Sequence, residues 1–325
     1  MRNLGVAVWG IGRHAKNRIL PAISAVETLT LVGICSRSKD TVNDCAKQWN
    51  CFGWTEPKKM LDHPDVDIII LTTPTGLHLN HGVQILAAGK HLWCEKPLTC
   101  NYKDTLELIH LSKKKGLMVA EGFMYLYHPH FLRVKKFVDA KELGRVCSVN
   151  CQFGIPTLEE PGFQNNANLY VGSFWDVGSY TVSAILELFD GQQHQILFAE
   201  IDWQPSYSID RGGRALIRFS EGSTAYLEWG IGLGYRNEIN IWSEQGSLYT
   251  DKIFSKPVDF QPTLKLRNQY GSKLIEQLPV VEQFEEMFKF YSLIFNNSQH
   301  LVKQRKRILK VAKVMDDILK LSQMN

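Results

Sequence analysis

Near its amino end the chain runs from an apolar segment, Gly5–Gly10 (GVAVWG), through Gly10-Ile11-Gly12-Arg13-His14-Ala15 into an amphipathic stretch, Arg13–Val26. A buried strand, a tight glycine turn and a helix, in that order, leave few folds open. Gly10 permits the turn. Gly12 lets the backbone approach a pyrophosphate at the helix N-terminus, where unpaired N–H groups and the helix dipole favour an anion. Ala15 keeps the helix close to the strand. The G-x-G-x-x-A spacing in this context predicts a dinucleotide site that includes Gly10, Ile11, Gly12, Arg13 and His14. The competing reading is a plain tight turn.

The pattern repeats downstream. Leu31–Ser36, Asp67–Pro74, His91–Glu95 and Met118–Phe123 read as further strands. Between them Asp40–Trp49, His78–Ala88 and Asn101–Lys115 read as helices, the last closed by Gly116 as a C-cap. Continuous apolar strands separated by helices indicate a parallel sheet covered on both faces. From about residue 124 the grammar changes. A helix (Pro129–Val138), a strand (Val146–Phe153), an irregular stretch (Gly154–Tyr170) and a helix (Phe174–Phe189) precede five strands with little helix between them: Gln195–Asp202, Arg214–Phe219, Thr224–Gly230, Glu238–Ser243 and Ser247–Asp251. Short turns at Glu221-Gly222-Ser223 and Glu244-Gln245-Gly246 make that sheet antiparallel. Val280–Phe295 and Leu301–Leu321 are helical. The expectation is an α/β protein: a Rossmann domain over residues 1–123, then an α+β domain over 124–325 with an open, mainly antiparallel sheet.

A length of 325 residues suits two such domains. The longest apolar runs span about five residues, too few for a membrane helix, and no signal-like leader opens the chain, so a cytoplasmic protein is expected. The seven cysteines, scattered and without a C-x-x-C pair, suit reduced thiols, and no metal site is expected. The net charge of +4 is too mild to suggest nucleic acid. Lys303, Arg305, Lys306, Arg307, Lys310 and Lys313 surround Val302, Ile308 and Leu309 without interleaved aromatics, which reads as a solvated helix face.

The second strand ends at Ser36, where an acid would bind a ribose 2′-hydroxyl. Here Ser36, Arg37 and Ser38 stand instead, and no acid appears before Asp40. A hydroxyl and a guanidinium suit a 2′-phosphate, and Arg37 can also stack on adenine. The expected cofactor is NADP, with NAD possible; the competing reading makes Arg37 and Lys39 solvated loop charges.

Cys94-Glu95-Lys96-Pro97 falls at the carboxyl end of a strand, the edge where open α/β sheets bind ligands. A lysine there can hold a substrate oxygen and help move its proton. With Gly10–Ala15, Thr73-Pro74…His78, Gly89-Lys90-His91…Glu95-Lys96-Pro97 and Asp176-Val-Gly178-Ser-Tyr180 in this order and spacing, the whole chain resembles the Gfo/Idh/MocA oxidoreductases. The resemblance implies hydride exchange between a nicotinamide and sugars, inositols or related alcohols. It also implies oligomer contacts, a dimer or tetramer, through the C-terminal sheet.

Carried onto this sequence, the resemblance makes Lys96 the catalytic lysine and Asp176 a carboxylate facing substrate. Tyr180 stands where inositol dehydrogenase-like members carry a catalytic histidine; a tyrosine at this position resembles glucose–fructose oxidoreductase, dimeric dihydrodiol dehydrogenases and nucleotide-sugar 3-ketoreductases. Residues 176 and 180 are i and i+4 on a helix and are expected to face one cleft. A nearby Lys96 ammonium would lower the phenol pKa and make Tyr180 a proton donor; otherwise Tyr180 is a packing residue. Thr73, Pro74, His78, Glu95 and Lys96 join the cofactor set, with His78 either lining the nicotinamide side or capping the following helix. The substrate set is Lys96, Tyr125, Asp176, Tyr180 and Tyr235. Tyr235 and Arg236 either meet substrate or are a strand-edge aromatic and a solvated charge. Two positions depart from the family pattern: Tyr170-Val171-Gly172 replaces three glycines, and Leu126 replaces an arginine.

Three functions follow in order: reduction of a keto-sugar, possibly nucleotide-linked; dehydrogenation of a free sugar, inositol or dihydrodiol; and ligand sensing without catalysis. The intact Lys96, Asp176 and Tyr180 argue against the last.

Overall fold

The computed structural model describes residues 3–157, 172–203, 209–295 and 297–324. The chain divides into two units, Met1–Phe123 with Phe284–Leu309, and Met124–Gln283 with Lys310–Asn325.

In the first unit the strands are β1 (Leu4–Trp9), β2 (Leu29–Cys35), β3 (Phe52–Trp54), β4 (Ile68–Leu71), β5 (His91–Cys94) and β6 (Val119–Glu121). They form one sheet in the order β3-β2-β1-β4-β5-β6, all pairs parallel. The chain builds outward from β1 to β3, then crosses back to place β4 beside β1. The order reverses there, and the glycine turn leaves β1 at that switch point, where doubly wound sheets bind ligands. A π-helical turn (Ala15–Ile19) runs into α1 (Leu20–Ala25), followed by α2 (Lys39–Trp49), α3 (Pro57–Leu61), α4 (His78–Ala87) and α5 (Tyr102–Lys115). All four residues of β4 are buried, as its unbroken apolar run requires. Local chemistry sets the helix ends. Ser38 Oγ accepts from Thr41 N–H at the start of α2, Asn101 and Asp104 cap α5 reciprocally, and Gly116 closes it at φ 68°.

A single boundary at 123/124 leaves Phe284–Leu309 with the second unit; the structure puts this segment with the first. It carries α8 (Gln283–Ile294) and the start of α9 (Ser298–Ser322). Phe288 packs on Trp93 (centroids 5.1 Å) and Phe295 on His91 (4.3 Å). Arg305 donates to Ser112 Oγ (3.0 Å) and to the Leu117 carbonyl (2.8 Å), so this basic residue is structural rather than part of a solvated face.

The second unit opens with α6 (Pro129–Asp139) and β7 (Val146–Ile155). A π-helical turn (Phe174–Gly178) leads into α7 (Ser179–Leu188). Then come β8 (His194–Trp203), β9 (Asp210–Phe219), β10 (Thr224–Ile231), β11 (Arg236–Ser243), β12 (Gly246–Asp251), β13 (Thr263–Asn268) and β14 (Lys273–Gln277). The eight strands lie in the order β14-β13-β12-β11-β7-β10-β9-β8. All pairs are antiparallel except β10 with β7. Strand alternation gives the sheet two faces. Cys151, Phe153 and Trp229 face the α7 segment: Phe153 meets Tyr180 and Trp229 meets Phe174, both at 5.1 Å. Glu200, Arg214, Glu228, Gln152 and Glu238 form a polar row across five strands on the other face. The irregular stretch expected over Gly154–Tyr170 begins within β7, and from residue 158 it lies outside the described residues, as do Tyr170 and Val171.

Candidate active site

The residues singled out by sequence fall into two groups, one on each unit. In the first, Gly10 and Gly12 do different jobs. Gly10 has φ 105°, and a Cβ there would lie 2.7 Å from the Thr73 amide nitrogen, so only glycine lets β1 pass this close to the end of β4. At Gly12 an added Cβ would meet nothing within 4 Å. The chain leaves open the space in front of the helix start that a pyrophosphate occupies in such turns. Arg13 and His14 are exposed beside it, Ile11 is half-buried, and Ala15 is buried against the sheet. The Thr72 hydroxyl donates to the Gly10 carbonyl and steadies the turn. This set fits a dinucleotide.

At the end of β2, Ser36 N–H donates to the Trp54 carbonyl (3.1 Å), which leaves its side chain half-exposed. Arg37 is exposed, whereas Ser38 is engaged as the α2 cap. The Arg37 charge helps hold His81 down at about 4, behind the larger effect of burial. His81 stacks on Trp9 (4.2 Å) and contacts Thr73 Oγ1 (3.1 Å). Sequence reasoning missed His81; its signal was position, one helical turn after His78.

Lys96 is half-buried on the turn after β5. Its N–H donates to Glu95 Oε2 (3.2 Å), and Glu95 Oε1 meets His14 Nε2 at 3.0 Å. His78 does not cap the following helix. It is buried, with Nδ1 2.9 Å from the Pro97 carbonyl and Nε2 2.8 Å from the Thr73 carbonyl, and the α4 N-cap is Leu77 without a side-chain bond. Glu121, also missed, accepts from Leu98 N–H at 2.8 Å. Burial pushes its carboxyl up to about 7 despite the pull of Arg307 and Lys96.

In the second unit Asp176 lies in the π-helical turn and is half-buried, while Tyr180 opens α7 and is 6% exposed. The strict i, i+4 stacking expected of an α-helix does not describe this pair, because the wider π turn intervenes. The Tyr180 ring packs among Tyr125, Phe153 and Phe254, and its hydroxyl donates to Met124 Sδ (3.7 Å). Tyr125 does not line open space. It is fully buried, its hydroxyl paired with Ser183 Oγ (2.7 Å) and reaching the Tyr180 carbonyl (3.5 Å), so it braces the tyrosine helix from behind. Asp210 does the same at the helix start, where its carboxylate accepts from Phe174 N–H (2.8 Å) and the Ser173 hydroxyl. A Cβ on Gly172, at φ 85°, would fall 2.0 Å from Asp210 Oδ1. That clash explains why glycine stands at 172.

Tyr235 is exposed, and its hydroxyl accepts from Asn237 Nδ2 (3.1 Å). Arg236 pairs with Glu238 on the polar face, opposite the Asp176 helix. Both line a groove of about 600 Å³ on that face, with Gln152, Arg214 and Glu228 among its walls. The groove walls do not include Asp176 or Tyr180. Among the described residues no cluster of metal-ligating side chains occurs, and no helix is long and apolar enough to cross a membrane. All seven cysteines are free thiols, and burial pushes Cys35 and Cys100 up to about 12.

A six-stranded parallel sheet with a glycine turn at its switch point, joined to a large mixed sheet, defines a Rossmann-type dinucleotide oxidoreductase. The comparisons agree. Residues 4–123 match the oxidoreductase family with NAD-binding Rossmann fold, and residues 131–249 match the GFO/IDH/MocA C-terminal domain. The chain belongs to the Gfo/Idh/MocA family. It is 26% identical to the dTDP-3,4-didehydro-2,6-dideoxy-alpha-D-glucose 3-reductase of Actinomadura kijaniata, over 96% of this chain and 94% of that one. It is 28% identical to the enzyme of the same name from Streptomyces violaceoruber, over 84% of this chain and 80% of that one. The crystal structure of a 3-ketoreductase from Actinomadura kijaniata in complex with NADP and TDP-benzene superposes with a TM-score of 0.92 at 26% identity, covering 98% of both chains.

Proposed function

We propose that this chain is an NADP-dependent reductase of a nucleotide-linked keto-sugar. The observation that carries the reading is the Lys96 turn at the carboxyl edge of β5, tied through Glu95 and His14 to the glycine turn of a dinucleotide site. Full-length similarity to 3-ketoreductases, one of them solved with NADP and TDP-benzene, supports the substrate class.

The residues divide the work. Gly10, Ile11, Gly12, Arg13 and His14 receive the pyrophosphate; Ser36, Arg37 and Ser38 take the 2′-phosphate end. Thr73, Pro74, Glu95 and Lys96 hold the nicotinamide end, with His78 acting from behind them. When bound, the nicotinamide supplies a hydride at its C4. Lys96 holds the ketone oxygen and offsets the negative charge that builds there. Tyr180 gives that oxygen its proton, which requires its hydroxyl to leave Met124 Sδ, a weak acceptor. Asp176 orients the sugar hydroxyls. Tyr235 is kept as a candidate contact for the more distant part of the substrate. Residues 1–123 are read as the cofactor domain and 124–325 as the substrate and oligomer domain, with Phe284–Leu309 completing the first. Exposed Trp242 and Phe198 on the sheet support self-association through it, as a dimer or tetramer. Free thiols support a cytoplasmic setting.

The test is consumption of NADPH by the purified protein with a dTDP-linked 3-keto-sugar. Turnover of a free aldose or inositol in the oxidative direction, with none of the nucleotide-linked ketone, refutes it.

A further inference from the structure

The geometry points to His78 and Glu121 as positioning residues that hold the Lys96 turn, and to His78 as the side chain that couples this turn to the cofactor segment at Thr73. The inference rests on the reading of Lys96 and Thr73 given above.

Three consecutive residues after Glu95 each have a backbone group tied by a side chain. Lys96 N–H donates to Glu95, the Pro97 carbonyl faces His78, and Leu98 N–H donates to Glu121. The first tie is to the adjacent residue, and the other oxygen of Glu95 meets His14, whose side chain is 48% exposed, so water competes for that contact. The other two are interior: His78 is 1% exposed and Glu121 6%. An imidazole and a carboxyl are costly to bury, and apolar side chains would fill the same space at lower cost. What the two polar groups add is direction, because together they grip the one peptide that joins Pro97 to Leu98, His78 at its carbonyl and Glu121 at its N–H.

His78 does more. A carbonyl oxygen only accepts, so each of its two contacts is a hydrogen bond only when the facing ring nitrogen carries a proton. A neutral ring has one such proton. Burial pushes His78 below the ordinary histidine range, while the two carbonyls and Glu95 pull the other way. The neutral ring therefore secures the Pro97 carbonyl or the Thr73 carbonyl, and its tautomer ties the state of one segment to the state of the other.

Two substitutions separate the contacts. The side-chain nitrogen of His78→Asn falls near the Nδ1 position and keeps the Pro97 tie; that of His78→Gln falls near Nε2 and keeps the Thr73 tie. With the keto-sugar assay, His78→Gln is expected to lose kcat by roughly ten- to a hundredfold, the scale of a small misplacement of a catalytic group, with the smaller change in NADPH Kd. His78→Asn is expected to show the reverse split. Equal losses of both parameters in both variants overturn the coupling. The Glu121 pair tests the other end and stands if the His78 variants do not fold. Glu121→Leu removes a buried carboxyl at similar volume and leaves Leu98 N–H without its acceptor, so the protein should still fold, with a modestly lower melting temperature, while kcat falls about tenfold. Glu121→Gln keeps an oxygen for Leu98 N–H and should recover most of that loss. Normal kcat in Glu121→Leu overturns the clamp. Lys96→Ala run alongside separates the two readings. If it turns over normally, the assignment of Lys96 fails. If it is slow while Glu121→Leu and His78→Gln are fast, only the clamp fails.

Discussion

Gly10 and Gly12 stand two positions apart in one motif, yet the structure predicts opposite consequences for replacing them. Gly10→Ala puts a Cβ 2.7 Å from backbone at a left-handed φ. It should destabilise the protein by about 1–3 kcal/mol, read as a drop in melting temperature. Gly12→Val meets no atom within 4 Å. Its melting temperature should stay near that of the parent while NADPH binding, followed by nicotinamide fluorescence, is lost. Arg37→Ala should leave NADH affinity alone and remove most of the preference for NADPH; equal affinities in the parent would refute that role. Lys96→Ala should cut turnover by roughly 10²-fold, the usual scale for a positioned proton-transfer group. Tyr180→Phe keeps the ring against Tyr125, Phe153 and Phe254 and removes only the hydroxyl, so it should fold normally and lose turnover. An unchanged rate would leave Tyr180 a packing residue. Sequence could name these side chains because glycine turns and the Glu95-Lys96-Pro97 run are local. It could not see that Tyr125 points into the core, or that His78 bridges the loop at Thr73 and the turn at Pro97, the latter 19 residues further along the chain than His78. Those outcomes depend on which strands lie side by side.

At the level of elements, the segment carrying Asp176 and Tyr180 is held at its start by Asp210, contributed by β9. Asp210→Ala removes the acceptor for Phe174 N–H and should cost about 1–2 kcal/mol, the scale of a lost helix cap. Because the cap positions Tyr180, kcat should fall more than cofactor binding; a pure stability loss without a change in kcat would separate cap from catalysis. Burial pushes the Asp210 carboxyl up to about 6. Long, strongly patterned elements were legible in the sequence, from β1 to α5 and from β7 to β12. The short β3 and α3 and the β13–β14 hairpin were not. β14 exposes Leu274 and Ile275 at the sheet edge, so burial imposes no alternation on it. The parallel pairing of β10 with β7 joins strands distant in sequence, which no turn chemistry announces.

Over the whole molecule, buried histidines set the response to acid. His128 and His130 are held down at about 3 and 2, by burial first and then by the Lys256 charge. His91 is held at about 4 by burial. An unfolded chain protonates its histidines near pH 6.5, whereas the folded chain refuses those protons until far lower. Their stabilising contribution is thus full above pH 6.5 and is lost as pH falls toward 4 and below. Glu121 and Asp210, raised to about 7 and about 6, act in the opposite sense, their contribution being fully present only below pH 4.5 and 3.8 respectively and lost as pH rises through their folded values. The histidines outnumber them and are shifted as far or further, so the melting temperature should rise between pH 4.5 and 6.5. A flat or falling profile in that window contradicts this balance.

The first unit closes only when the chain returns to it, with Phe288 against Trp93, Phe295 against His91 and Arg305 on the carbonyl of Leu117. This has a consequence for how such proteins can exchange parts. A single genetic crossover near residue 123, swapping one relative's amino half for another's, would join a sheet from one parent to the α8–α9 cover of the other. Trp93 and His91 would meet foreign partners, and the hybrid would carry a mismatched wall behind β5, the strand that leads to Lys96. A double crossover that also exchanges Phe284–Leu309 keeps those contacts in one lineage. Viable hybrids, in the laboratory or in genomes, should therefore show the second junction near residue 309 as often as the first.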